Sequence, residues 1–356
     1  MPDSNGAAVR DAAFEPRSAE DLPNRLSTIP ILLLHVHENC NCRCVMCDIW
    51  QRKGGREIDL AWLERQRSSI ERLGVKHVVL TGGEPLLHSN FENLCTFLKK
   101  CGIRVTLLTT GLLLGKRAEI IAGAVDEVIV SLDGPEEVHD HVRRIKGAFR
   151  LMQDGVRAVR RYHRTMPIQA RSTIQKMNYM LLRETVLAAH AVSFDSISFL
   201  AADVTSQAFN RELVWPGERQ RQIVLTNSEV QELENEIEAL IREYGVEIDT
   251  RFILESREKL RGIPRRFREQ LGEIAPRAPR CNAPWVSAVI EVSGAIRPCF
   301  FHQRIGDASE IPLDDAINSA QGLKFRASLD VENDPICQRC VCSLNYKGHV
   351  KGTFGE

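Results

Sequence analysis

Four cysteines stand within eight positions near the start of the chain, in the stretch ENCNCRCVMC (residues 38–47). Cys40, Cys44 and Cys47 have the spacing C-x3-C-x2-C, which places three thiols on one side of a tight helical wrap. Three thiolates from one short loop can converge on an iron–sulfur cube. A closed cube takes four protein thiolates, so this set leaves one iron open to a substrate or cofactor. Cys42 is predicted to point away from the other three.

A zinc site, or reduced thiols with no metal, is the alternative for this loop. Structural zinc sites are typically built from C-x2-C pairs that a second pair closes, and the loop lacks that pattern.

A second group of cysteines lies near the end of the chain. Cys281 and Cys299 flank a glycine in the pattern C-x12-G-x4-C, and Cys337 and Cys340 form C-x2-C. Four thiolates make a complete [4Fe–4S] site, but they also make a structural zinc site, and spacing alone leaves both open. Cys342 either replaces Cys340 as a ligand or is free.

Composition narrows the classes of function. The chain has 356 residues, eleven cysteines and a formal net charge of zero. No net charge draws it to nucleic acid or an anionic membrane, so neither is expected as a partner. The longest apolar run, residues 29–36, is too short to span a bilayer, and the N-terminal stretch has no apolar signal region. A cytoplasmic location is therefore predicted, and in that compartment clustered cysteines favour metal over disulfides.

Apolar, β-rich runs alternate with helical patterns along the first two hundred residues. The runs are continuous rather than alternating, which is typical of parallel strands covered by helices. This predicts an α/β fold, a partial (β/α)6 parallel barrel followed by a small cysteine-rich extension of a β-hairpin and helix. The stretch at 257–280 is interpreted as a solvated linker in preference to a patch for an anionic ligand. The expected domains are a flexible arm (1–28), the barrel (29–225), a helical linker (226–280) and the extension (281–356).

The cysteine loop at the end of the first predicted strand resembles the signature of radical SAM enzymes, which use S-adenosylmethionine (SAM). The resemblance implies that Cys40, Cys44 and Cys47 hold a [4Fe–4S] cluster whose open iron chelates SAM. Met46 stands where the family usually has an aromatic residue, and it is expected to pack against the adenine.

Other motifs agree with this resemblance and end successive strands, which is where β/α barrels form their active sites. The TGGEP stretch (81–85) implies that Gly82, Gly83 and Glu84 hold the amino group of SAM. Further cofactor contacts are expected from later strand ends, namely Thr110, Ser131, Asp133, Arg171, and the backbone at Phe199 and Leu200. His139 and His141 are interpreted as solvated loop residues.

The C-terminal cysteines resemble the SPASM or twitch extension of some radical SAM enzymes. The resemblance implies that Cys281, Cys299, Cys337 and Cys340 hold a second, auxiliary [4Fe–4S] cluster, in the one-cluster twitch arrangement. It also implies reductive cleavage of SAM to a 5′-deoxyadenosyl radical, fed by a one-electron donor such as flavodoxin or ferredoxin.

The expected reaction is hydrogen abstraction from a small-molecule substrate, sugar- or aminocyclitol-like, that ends in oxidation or epimerisation at carbon. An epimerase needs a hydrogen-atom donor, for which Cys42 and Cys342 are candidates. Two alternatives are maturation of a ribosomal peptide and a non-catalytic protein that binds iron–sulfur or zinc.

Overall fold

The computed structural model describes residues 24–52, 54–209 and 213–348. Most of the predicted N-terminal arm therefore lies outside the described residues. One sheet of nine strands organises the described part of the chain, in the order β6-β5-β4-β3-β2-β1-β7-β8-β9. The strands are β1 Ile31–His37, β2 His77–Gly82, β3 Arg104–Thr109, β4 Glu127–Ser131, β5 Ile168–Ile174, β6 Ser196–Ala201, β7 Ser287–Ile290, β8 Ala295–Arg297 and β9 Gly306–Asp307.

Strands β1 to β6 are parallel to their neighbours, and the sheet does not close on itself. The predicted partial barrel is confirmed. The strand interiors are almost continuously buried, as in β1 and β2, because one face packs on helices and the other faces the barrel interior.

The helices lie between and after the strands. They are α1 Leu60–Arg65, α2 Arg67–Arg72, α3 Phe91–Lys100, α4 Ala118–Ala124, α5 Glu136–Arg143, α6 Ala148–Tyr162, α7 Leu182–Val192, α8 Gly217–Gln220, α9 Asn227–Glu243, α10 Gly245–Asp249, α11 Arg257–Leu271, α12 Ala283–Val286, α13 Leu313–Ile317, α14 Ala320–Ser328 and α15 Pro335–Gln338. None of the helices among the described residues is long and apolar enough to cross a membrane.

The extension continues the sheet of the barrel. Strand β7 pairs in parallel with β1, with Ile31 opposite Ser287, and then turns into β8 as an antiparallel hairpin. Gly294 forms the turn with a φ of +85°, a conformation that favours glycine. The predicted hairpin is confirmed, and its pairing brings the C-terminal cysteines to the mouth of the barrel.

Most of the stretch interpreted as a solvated linker forms helix α11, which lies within the predicted helical linker but is not fully solvated. Leu260 and Phe267 are fully buried on one side of this helix, which packs against α9 and β6. Arginines on the opposite side hid the apolar periodicity in the sequence. The Ser256 hydroxyl begins the helix by accepting a hydrogen bond from the Lys259 amide at 3.2 Å, and Gly272 ends it at a φ of +77°.

Candidate active site

The cysteine loop that follows β1 packs directly on the two glycines at the end of β2. The Gly83 amide donates to the His37 carbonyl and the Glu84 amide donates to the Asn39 carbonyl, both at 2.8 Å. A Cβ on Gly83 would lie 2.0 Å from the Asn39 oxygen. Gly82 has a φ of +124°, and its Cβ would lie 2.7 Å from the His37 oxygen. Both glycines are therefore required by the position of the loop.

Glu84 is fully buried and joins the ends of β2 and β3. One carboxylate oxygen accepts from the Leu86 amide at 3.0 Å and the Thr109 hydroxyl at 2.8 Å. The other accepts from the Thr110 amide at 2.8 Å and its hydroxyl at 2.7 Å. Burial raises the pKa of Glu84, and these hydrogen bonds oppose the shift. The carboxylate has no exposed edge, so the expected direct contact with a SAM ammonium is not supported by this arrangement.

Thr110 links this carboxylate to the cysteine loop. It is buried, and its hydroxyl oxygen lies 2.9 Å from Asn41 Oδ1. Thr110 therefore lies behind the cysteine loop and supports it, in place of the direct cofactor contact that the sequence analysis expects.

Helix α5 supports the other side of the loop. The amides of Arg43 and Val45 donate to the carbonyls of Arg143 and Val142, at 3.1 and 3.0 Å, which satisfies acceptors at the end of α5. The buried Arg143 guanidinium donates to Cys44 Sγ at 3.4 Å and to Asp133 Oδ2 at 2.6 Å. The end of α5 thus fixes both the backbone of the loop and one of its thiols.

Asp133 is fully buried, and its other oxygen accepts from the Thr173 amide at 3.4 Å. The expected role of Asp133 as a direct cofactor contact is therefore corrected, because its carboxylate is used to hold Arg143. His139 is also fully buried beside Asp133, and burial lowers its pKa to about 4. The interpretation of His139 as a solvated residue was wrong, whereas His141 is exposed.

The role of Arg143 was missed by the sequence analysis. The one usable signal is helical spacing, because Arg143 lies four positions after His139 on the same face of α5.

Cys42 does not point away from the other three cysteines of the loop. It is 1% exposed and hydrogen-bonded to Cys44. That hydrogen bond, helped by Arg143 against the effect of burial, lowers the pKa of Cys44 to about 6 and raises that of Cys42. Cys42 therefore lies behind Cys44, where no substrate reaches it, and it is a poor hydrogen-atom donor.

The remaining loop thiols fit a cluster better than a single ion. Burial, and the nearby thiols Cys44 and Cys47, raise the pKa of Cys40 to about 12, so a bound cation is needed to hold Cys40 as a thiolate. Ligands around one tetrahedral zinc lie about 3.8 Å apart, given a Zn–S bond of about 2.3 Å. Within the described residues, the only three candidate ligand atoms that lie within 4.8 Å of one another belong to His302, Asp334 and Cys337. The three loop thiols do not all lie within this distance of one another, so they are not arranged around a single ion.

The C-terminal cysteines surround one small apolar cavity of about 60 Å³, namely Cys281, Cys299, Cys337, Cys340 and Cys342. His302 is buried there, with Nε2 3.3 Å from Cys337 Sγ. Asn282, next to Cys281, makes hydrogen bonds to the backbone of Leu344 and Tyr346, in the segment that follows Cys342. This thiol-lined, apolar pocket fits an iron–sulfur group.

A larger cavity of about 830 Å³ connects the barrel mouth to this second cysteine group. Gly82, Gly83 and Arg171 line it on the barrel side, and Cys340 and Cys342 on the other. Cys342 is exposed and lines both cavities, so of the two candidate hydrogen-atom donors only Cys342 faces a space for substrate.

Three of the other predicted cofactor contacts, Arg171, Phe199 and Leu200, line this cavity. Arg171 projects from β5 and donates to Ser198 Oγ at 3.2 Å. Phe199 and Leu200 also line the large cavity, while Ser131 and Met46 are half-buried at the end of β4 and in the cysteine loop.

One further contact was missed by the sequence analysis. Asp48, directly after Cys47, accepts from Trp215 Nε1 at 2.7 Å and from Arg219 Nη1 at 3.0 Å. The loop after β6 thus holds the downstream end of the cysteine loop, and no local pattern connects residues so far apart in sequence.

Comparison with known proteins defines the class. A family model for the radical SAM superfamily matches residues 34–173, and a model for the SPASM iron–sulfur cluster-binding domain matches residues 281–341. Residues 34–173 thus form a radical SAM domain, and residues 281–341 form a SPASM-type extension. Together these domains imply a SAM-binding [4Fe–4S] cluster and auxiliary iron–sulfur binding, as the thiol arrangement supports.

Individual relatives are more distant. The chain is 28% identical to an AdoMet-dependent heme synthase of Methanosarcina barkeri, over 41% of this chain and 43% of that protein. It is 25% identical to a PqqA peptide cyclase of Rhodopseudomonas palustris, over 48% of this chain and 46% of the relative. The chain thus spans less than half the length of these curated relatives.

Solved structures share the fold over most of the chain. The structure of anSMEcpe with bound AdoMet has a TM-score of 0.63 at 16% identity, covering 87% of this chain and 86% of that one. Streptococcus suis SuiB bound to its precursor peptide SuiA has a TM-score of 0.59 at 16% identity, covering 90% and 73%.

The glycine contacts generate a first prediction. Gly83→Ala should displace the cysteine loop, since its Cβ would meet the Asn39 oxygen at 2.0 Å. We expect the variant to fold but to lose the iron of the first site after anaerobic reconstitution, as measured by iron content and circular dichroism. Gly123→Ala is the matched control, because nothing lies within 4 Å of its Cβ position. Full iron loading of Gly83→Ala would contradict the proposed docking of the loop.

The cysteine loop generates a second prediction. Cys42→Ala should keep the first cluster, because Cys42 lies behind Cys44 and lies outside the cluster set. Cys44→Ala should lose it, together with its visible absorption and about four irons per chain. If Cys42→Ala empties the site while Cys40→Ala does not, the assignment of the three ligands is wrong.

Proposed function

We propose that the chain is a radical SAM enzyme that modifies an unactivated carbon of a substrate bound in the 830 Å³ cavity. The observation that carries this proposal is the cavity itself, because it joins the predicted SAM contacts at the barrel mouth to the second cysteine group. When bound, the first cluster supplies the electron for reductive cleavage of SAM and thus hydrogen abstraction from carbon.

The chain's own residues bind and orient in this proposal. Cys40, Cys44 and Cys47 hold the first cluster and leave one iron without a protein ligand. The backbone of Gly82 and Gly83 faces the cavity, and Arg171 supplies a positive charge for the carboxylate of SAM.

The second cluster has its own ligands in this proposal. They are Cys281, Cys299, Cys337 and Cys340, with Cys342 left to face the cavity.

A peptide is the substrate class that has the most support. Structures of SuiB with its precursor peptide and of anSMEcpe with peptides share this fold over most of the chain, and PqqA peptide cyclase is a relative in sequence. A cavity of this volume also accommodates a short segment of peptide with its side chains, since ligand pockets commonly measure about 300–1,000 Å³.

A sugar-like small molecule, oxidised or epimerised at carbon, is the second candidate. The exposed thiol of Cys342 in the cavity wall favours it, because an epimerase must return a hydrogen atom to the substrate.

The test of the proposed function is anaerobic reconstitution followed by incubation with SAM and dithionite. We expect about eight irons per chain from two clusters and slow formation of 5′-deoxyadenosine. Cys47→Ala should form none. Absence of 5′-deoxyadenosine from fully loaded wild-type protein would refute the enzymatic role.

With a substrate in hand, reaction in D₂O separates the candidate outcomes. Incorporation of solvent deuterium into product, lost in Cys342→Ala, would show epimerisation through that thiol. If Cys342→Ala forms unlabelled product at the wild-type rate, the Cys342 thiol takes no part in the reaction.

A further inference from the structure

Helix α11 presents one face to the large cavity. Lys259, Gly262, Ile263 and Arg266 line the cavity, and their spacing of three, four and seven positions places them on one side of the helix. This face has a cation at each end and a glycine between them. The face contains no residue of either cysteine group.

Gly262 has no packing reason to be glycine. No atom lies within 4 Å of the position that its Cβ would occupy, and its backbone is ordinary helix. Glycine in a helix interior makes the helix less stable than alanine would. Its effect on the cavity is to leave open space between Lys259 and Arg266.

The charge of the cavity wall is strongly biased. Two carboxylates line it, those of Glu255 and Glu291, against six cationic side chains. The cations are Arg52, Arg171, Lys259, Arg266, Arg280 and Arg297. A cleft lined mostly by one sign of charge concentrates ligands of the opposite sign.

The two carboxylates are already engaged. Glu291 pairs with Arg297 at 2.5 Å. Glu255 is buried, accepts from the Phe199 amide at 3.0 Å, and lies 3.9 Å from the Lys259 ammonium. The excess of positive charge therefore persists after the pairing within the wall.

We propose that the α11 face is the binding site for an anionic group of the substrate, a carboxylate or a phosphate. This rests on the proposed function, since it names a property of the substrate in the same cavity. Lys259 and Arg280 contact the anion, and Gly262 provides the room for it. Arg266 contributes charge from a fixed position, because its guanidinium is held by Glu269 at 2.7 Å and by the Gln338 carbonyl at 2.9 Å.

The test uses reconstituted, SAM-loaded protein in anaerobic titration calorimetry with four probes. Glucose 6-phosphate and the tripeptide Glu-Glu-Glu are the anions, and glucose and Gln-Gln-Gln are their neutral matches. We expect at least one anion to bind tenfold more tightly than its neutral match, with affinity that falls as salt rises. Tighter binding of glucose 6-phosphate would indicate a phosphorylated small molecule as the substrate, and tighter binding of Glu-Glu-Glu would indicate an acidic peptide.

Variants locate the site. Lys259→Gln should weaken binding of the anion about tenfold, and Gly262→Leu should abolish it by filling the open space. Gly262→Ala, which should fold at least as stably as wild type, serves to show that the helix tolerates a side chain there. Lys116→Gln removes an exposed lysine outside the cavity and should bind the anion as wild type does.

Equal binding of charged and neutral probes, or anion binding unchanged in both Lys259→Gln and Gly262→Leu, would overturn the inference. The two proposals fail separately. Wild-type protein that binds the anion at this face but forms no 5′-deoxyadenosine would refute the enzymatic role and leave the anion site standing.

Discussion

The contact between the cysteine loop and the end of β2 constrains the rest of the site. The carbonyl of His37, at the end of β1, and that of Asn39, in the loop, accept amide protons from Gly83 and Glu84 at 2.8 Å. At this distance any side chain on Gly83 would collide with the loop. Backbone thus meets backbone without intervening side chains. Because the loop follows β1 and the glycines end β2, the pairing of two adjacent parallel strands fixes where the three thiols lie.

Around that contact, buried polar groups are held by partners from distant segments. Glu84 accepts hydrogen bonds from Thr109 at the end of β3 and from Thr110, and Asp133 pairs with Arg143, which reaches Cys44. Removing one partner of such a buried pair typically costs about 3–5 kcal/mol, because the other charge stays buried alone. The same groups that a motif suggests as cofactor contacts serve here to make the loop rigid.

Whether a feature was predictable from the sequence depends on whether its contacts are local or come from distant segments. The strands, the hairpin at Gly294 and the cysteine spacing are local patterns, and each was predictable from neighbouring residues. The burial of Glu84 and Asp133 was not, because it depends on Thr110 and Arg143, which lie elsewhere in the chain. The burial of one face of helix α11 was missed for a different reason, since its arginines dominate the composition while Leu260 and Phe267 supply the buried face.

The second cysteine group also shapes the space for substrate. Cys340 and Cys342 line both the thiol pocket and the large cavity, and Asn282 holds the segment that follows them beside Cys281. Arg266 of α11 adds a hydrogen bond to the Gln338 carbonyl in the same segment. Metal binding by these thiols would therefore fix one wall of the cavity and the helix that carries its positive charge. In the proposed function, the extension therefore acts on substrate binding through the wall that it shares with the barrel.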